Sequence, residues 1–260
     1  MRPSQGKLKG LLDRPAPAPE VFRELLRLDT DRLGVELSRR VRGYARGAVV
    51  SPDRGTRAWA IEILWLIGVA PGDRQVLVRA LRDASPSVRL GAARALAAAP
   101  FPVLDILLGN LAVESRAHVR SEIRWLVLEL RGSDAYNEAL RRTSVRQRRR
   151  RYRLLNLIAK RGSLANVPSL AAELREPIDD LPDAHQVLRA LANLLYREES
   201  LGHHLEPAVR TALRTRLAGP DLHDARGGLE WEGHDDAVHV DAVGDHVRAL
   251  LAFLDRSGAV

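Results

Sequence analysis

The stretch Asp83-Ala-Ser-Pro-Ser-Val-Arg-Leu-Gly-Ala-Ala-Arg-Ala-Leu-Ala-Ala-Ala99 decides the fold, because it recurs along the chain in weaker form. It has the pattern of a turn followed by the second helix of a helical hairpin. Pro86 sits at the first helical turn, where its missing N–H costs nothing. About 31 residues downstream, Glu114 and Val119-Arg120 occupy the places of Asp83 and Val88-Arg89. About 32 residues upstream, Thr56-Arg57 does the same. Self-similarity at a period of a few tens of residues is the signature of a solenoid, in which each unit buries one face on the next.

Overlaying the second helices tests the repeat. Val88, Ala92, Leu96 and Ala99 fall at i, i+4, i+8 and i+11, one stripe of a helix. Val119, Ile123, Val127 and Leu130 trace the same stripe, and so do Thr56, Ala60, Leu64 and Ile67. A fourth unit at about 145–160 keeps Tyr152, Leu155 and Ala159, with arginines diluting its start. From 163 onward helix pairs are expected without a clear repeat signature.

On these residues the chain resembles the HEAT-repeat family, in particular the short bacterial HEAT-like repeats. In that family an acid in the turn and an arginine six residues later form a ladder between neighbouring units. Asp83 with Arg89 and Glu114 with Arg120 match the spacing. Ser51 before Arg57 and Thr143 before Arg149 match only in the arginine. The resemblance covers residues 51–131 and implies a structural role for Asp83, Arg89, Glu114 and Arg120, with a charge-assisted hydrogen bond fixing the register of the stack.

The expected architecture is therefore all-α: a right-handed α-solenoid of HEAT-like helical hairpins, with a possible small hairpin or loop insertion near the C-terminus. Residues 1–19, with their Pro/Ala run, are expected to be a flexible tail, and 20–219 the solenoid. Residues 220–240 are expected to form an acidic, His-rich loop, and 241–260 a C-terminal helix packed on the solenoid. Alternation around Gly233 (Leu229, Trp231; Val238, Val240) hints at the hairpin.

Composition agrees and excludes several chemistries. Apolar residues make up 45% and aromatics 4%, so the core is aliphatic, as stacked helices require. The absence of cysteine rules out disulfides, thiolate metal sites and cysteine nucleophiles. No export signal or membrane span is expected: the Arg14–Glu20 stretch replaces the apolar run a signal needs, and Ala58–Ala70 is short and carries Glu62. A soluble, cytoplasmic protein is the default expectation.

Charge is unevenly placed. The net charge is +8, yet residues 221–246 carry eight acids against Arg226 alone, so a basic body carries an acidic segment near its end. The basic residues are almost all arginine, with lysine only at 7, 9 and 160. With abundant Ala, Gly and Pro this suggests a GC-rich bacterial genome, which discounts raw arginine counts as functional evidence.

The run Arg146-Gln-Arg-Arg-Arg-Arg-Tyr-Arg153 is the strongest functional signal. Arg146, Arg149, Arg150 and Arg153 form a stripe at helical spacing, flanked by Arg142. Such density of like charge costs stability and answers a counter-charge, either a nucleic-acid phosphate backbone or an acidic protein surface. The acidic segment of the same chain is a further candidate partner. Arg142, Arg146, Arg148, Arg149, Arg150 and Arg153 are the expected ligand-binding residues.

Trp125 is added to them. It points away from the Ile123–Val127–Leu130 stripe and either packs on a neighbouring helix or meets a ligand. Trp59 and Trp65 are expected in the core. Alkylpurine DNA glycosylases built on HEAT-like repeats are similar in architecture and in using tryptophan, acidic and basic residues on a concave face. That likeness implies DNA binding as the alternative function, with Glu122 the candidate acid. His234, Asp235, Asp236, His239, Asp241 and His246 are of types that could ligate a divalent metal, but their spacing matches no zinc motif and adjacent aspartates are ordinary in loops. No catalytic residue, cofactor or metal ion is expected, and a non-enzymatic scaffold with a basic concave surface is the favoured reading.

Overall fold

The structure is a computed structural model and describes residues 10, 12, 19–26, 34–144, 146–174, 181–219 and 241–256. Of the expected flexible tail before Pro19 only Gly10, exposed, and Leu12, half-buried against the core of the first unit, are described; the rest of it, the acidic loop and its possible hairpin lie outside the described residues. All regular secondary structure among the described residues is helical, in two compact units, Met1–Leu130 and Arg131–Val260.

The first unit runs through α1 (Pro19–Leu25), α2 (Val35–Ala48), α3 (Arg54–Leu66), α4 (Arg74–Ala80), α5 (Pro86–Ala97), α6 (Leu104–Val113) and α7 (Ala117–Arg131), which reaches its boundary. Local chemistry sets the helix ends. Asp53 caps α3, its Oδ2 accepting the Thr56 N–H at 2.6 Å. Gly68, at φ +78°, follows the end of α3 in the left-handed conformation that only glycine adopts freely. Pro86 opens α5 as the sequence pattern requires.

The three stripes meet in one core. Thr56, Ala60 and Leu64, then Val88, Ala92 and Leu96, then Val119, Ile123 and Val127 are buried, with Val41, Leu77 and Leu107 from the first helices against them. Each fully buried Leu or Ile contributes about 1.5–3 kcal/mol. The alanines Ala92, Ala93 and Ala95 let α5 approach α3 closely.

Two expectations fail here. Leu130 is exposed, because the stripe runs out in the last turn of its helix; Ile67 and Ala99, at the same stripe position, are only half-buried. Trp65 is 48% exposed, since it lies to the side of the Ala60–Leu64 stripe. Trp59 is half-buried and packs on the core.

The second unit contains α8 (Ser133–Arg142), α9 (Arg148–Arg161), α10 (Val167–Glu173), α11 (Leu181–Ser200), α12 (Pro207–Leu217) and α13 (Asp241–Arg256). Leu154, Leu155 and Ile158 of α9 are buried, as are Val187, Leu188 and Leu191 of the neighbouring α11. The C-terminal helix α13 packs on α11 and α12 through Val247, Leu250 and Leu254. Phe253 meets Tyr196 edge-to-face at 5.0 Å. Tyr152, expected in the core, is 46% exposed, and the reason lies in the register of the fourth repeat. Among the described residues no helix is long and apolar enough to cross a membrane.

Candidate functional site

The polar ladder divides the arginines into those buried or half-buried in the stack and those exposed on its surface. Arg57 donates from Nε and Nη2 to both carboxylate oxygens of Asp83, at 2.7 and 2.9 Å. Arg89 grips Glu114 in the same way, at 2.8 Å through each nitrogen. Each arginine thus reaches forward to the acid of the following turn. Its third nitrogen reaches back: Nη1 of Arg57 donates to the Ser51 carbonyl, of Arg89 to the Asp83 carbonyl and of Arg120 to the Glu114 carbonyl, all at 2.9 Å. The six-residue spacing is therefore a side chain-to-backbone tie inside one turn. That is why Ser51 serves as well as an acid.

The acids are pinned as well. Asp83 Oδ1 accepts the Ser85 N–H and Glu114 Oε1 the Arg116 N–H, each at 2.8 Å. The Arg89 guanidinium, helped by the Arg116 N–H, holds the Glu114 carboxyl below its ordinary pKa against the opposing effect of burial. For Asp83, burial pushes upward, but Arg57 and the Ser85 N–H outweigh it and the pKa is again lowered.

In the second unit the ladder arginine is Arg151, not the expected Arg149. Arg151 is 2% exposed. Its Nε and Nη2 bind Asp183 at 2.6 and 2.8 Å, Nη2 also meets Glu173 at 2.7 Å, and Nη1 donates to the Thr143 carbonyl at 3.3 Å. Burial disfavours its charge, but the two carboxylates more than offset this and raise its pKa. Counting from Arg151, Leu154 and Ile158 take the places of Ala92 and Leu96. Tyr152 then falls beside the stripe, which explains its exposure.

The remaining arginines of the run face solvent. Arg146, Gln147, Arg148, Arg149 and Arg150 line an open cavity of about 480 Å³, and Arg153 is exposed one turn on. Arg148, Arg149 and Arg150 form the first turn of α9, which has no acidic residue there and no side-chain cap from Gln147. A helix N-terminus carries partial positive charge and favours anions. Placing three guanidiniums on it concentrates positive potential. Arg142, exposed as well, pairs with Glu138 one helical turn back at 2.7 Å.

Trp125 is half-buried and belongs to the first unit, whereas the arginine cluster belongs to the second. Glu122 pairs with Arg94 at 3.5 Å. Among the described residues no group of His, Asp or Glu could hold a metal ion; His234, Asp235, Asp236 and His239 lie outside them. Sequence reasoning missed the exposure of Trp65, which its apolar neighbours disguise. It also missed an open groove beside the first ladder rungs, whose lining comes from two separate hairpins.

Compared with known families, residues 46–127 match HEAT repeats. No curated protein matches the chain.

Proposed function

Starting from the HEAT repeats at residues 46–127, we propose that the protein is a non-enzymatic scaffold that binds an acidic partner through the exposed arginines Arg142, Arg146, Arg148, Arg149, Arg150 and Arg153. Stacked repeats offer extended surfaces for binding partners rather than an enclosed pocket. The observation that carries the reading is the start of α9: Arg148, Arg149 and Arg150 crowd the positive end of a helix without an acid in its first turn. That arrangement repels itself and is relieved by an incoming anion. The partner is an acidic protein surface or a phosphate backbone; Trp125 is a secondary contact.

The test is fluorescence anisotropy with labelled polyglutamate and labelled duplex DNA, each at low and moderate salt. The scaffold reading expects polyglutamate binding that weakens with salt and disappears when Arg148, Arg149 and Arg150 are replaced by Glu. Preference for duplex DNA, lost in the same variant, moves the protein to the alternative, a DNA-binding HEAT-like protein related in architecture to alkylpurine DNA glycosylases. Undiminished binding by the variant removes the cluster from the function altogether.

A further inference from the structure

The groove beside the ladder lies wholly within the first unit, between the turn joining α2 to α3 and the helix α4. Its volume is about 740 Å³. Val49, Val76 and Val78 are buried or half-buried along it, and Val50, 66% exposed, stands at its mouth. Exposed Gln75 adds an amide that can both donate and accept.

The cations around it divide into two classes. Arg46 and Arg57 line the groove but are engaged, Arg46 Nε with Asp73 at 2.7 Å and Arg57 with both oxygens of Asp83. Arg42 also donates to Asp73, so two arginines share that one carboxylate. Arg79 and Arg82 are exposed, and among the described residues their guanidiniums have no hydrogen bond or ion pair. The groove thus carries an excess of positive charge, and two of the guanidiniums that line it have no partner among the described residues. These arginines share their groove with valines.

We propose that this groove is a second binding site, which takes an extended acidic segment of a partner protein with aliphatic residues interleaved among its acids. Carboxylates of the segment pair with Arg79 and Arg82, its aliphatic side chains cover Val50 and Val76, and Gln75 bonds to its backbone. The apolar floor argues against a bare phosphate or nucleic-acid backbone, which would cover the valines without burying apolar surface of its own. The openness argues against a small molecule, since such ligands are bound with most of their surface enclosed. A chain segment satisfies both.

The site is independent of the α9 cluster, and the experiment separates them. Full-length protein is panned against a displayed random-peptide library, and enriched peptides are synthesised and titrated by anisotropy. Enrichment of peptides with acids beside aliphatic residues is expected. Their affinity falls by about tenfold or more in Arg79→Glu/Arg82→Glu, falls similarly in Val50→Asp, and is unchanged when Arg148, Arg149 and Arg150 become Glu. Because Arg79, Arg82 and Val50 are exposed, these variants keep the wild-type melting curve. Peptides without acids, no enrichment, or binding that survives the groove substitutions overturns the proposal. So does competitive displacement of the selected peptides by a synthetic peptide of residues 221–246, which would assign the groove to this chain's own acidic segment.

Discussion

Arg89 and Glu114, 25 positions apart in the chain, meet through two parallel hydrogen bonds of 2.8 Å, while the same arginine holds the carbonyls of Asp83 and Ala84. One side chain therefore closes its own turn and docks the next hairpin. The Glu114 side chain is 1% exposed, so deleting the arginine strands a buried carboxylate. Arg89→Ala should destabilise the first unit by about 3 kcal/mol, read as a lower urea midpoint in circular dichroism. Arg89→Lys should recover little, because an ammonium cannot span carboxylate and carbonyls in one plane. Arg79→Ala, at an exposed arginine with no partner among the described residues, serves as the control and should shift stability by less than about 0.5 kcal/mol.

The ladder also sets an acid limit. Glu114 and Asp83 are both held below their ordinary values of 4.5 and 3.8. A carboxylate with a depressed folded pKa stabilises fully above its unfolded value and loses that contribution as pH falls through the folded one. Melting temperature should be flat through neutral pH and fall below about pH 4.5. The stability gap between wild type and Glu114→Gln should close over the same range. A gap that stays constant down to the acid transition would show that the pair contributes nothing through ionisation.

How far the sequence carries is visible at the arginines. The stripes Val88–Ala92–Leu96 and Val119–Ile123–Val127, and the start of α5 at Pro86, are legible because helix period and proline chemistry are local. Which arginine of the run 146–153 is buried is not local, since six identical side chains compete and the deciding carboxylates come from Glu173 and Asp183. Six-residue spacing from Thr143 points to Arg149, but an extra stretch in that turn puts Arg151 in its place. A longer-range signal was present: Arg57, Arg89, Arg120 and Arg151 recur at intervals of 32, 31 and 31 residues. The groove by Val50 had no such signal, because its walls come from hairpins that only the stacking brings together.

Register makes a direct prediction for the second unit. Arg151→Ala should lower its stability by about 3 kcal/mol, since Asp183 and Glu173 lose their shared cation. Arg149→Ala, two residues away and exposed, should leave stability within about 0.5 kcal/mol of wild type and instead weaken binding of polyanions. Urea titration of the two variants beside polyglutamate anisotropy separates the roles. Equal destabilisation by both would contradict the assignment of Arg151 as the ladder arginine.

Two glycines should respond in opposite directions to the same substitution. At Gly162 an added Cβ would stand 2.5 Å from the Ile158 carbonyl oxygen and 2.6 Å from Asn166 Oδ1. Neither neighbour can retreat easily. The Ile158 carbonyl accepts the Gly162 N–H at 2.7 Å, and Asn166 is fully buried, bonded to Ser163 N–H, the Ser133 carbonyl and Asn137. Gly162 is held from its other side as well, its carbonyl accepting from Arg197. Gly162→Ala should therefore cost about 1–3 kcal/mol by forcing the α9–α10 junction apart. Gly43 lies inside α2 with nothing within 4 Å of an added Cβ. Gly43→Ala should stabilise the first unit by up to about 1 kcal/mol, the usual helix-propensity gain. Thermal melts of the two variants decide the matter: a neutral Gly162→Ala would mean the junction has slack that these distances deny.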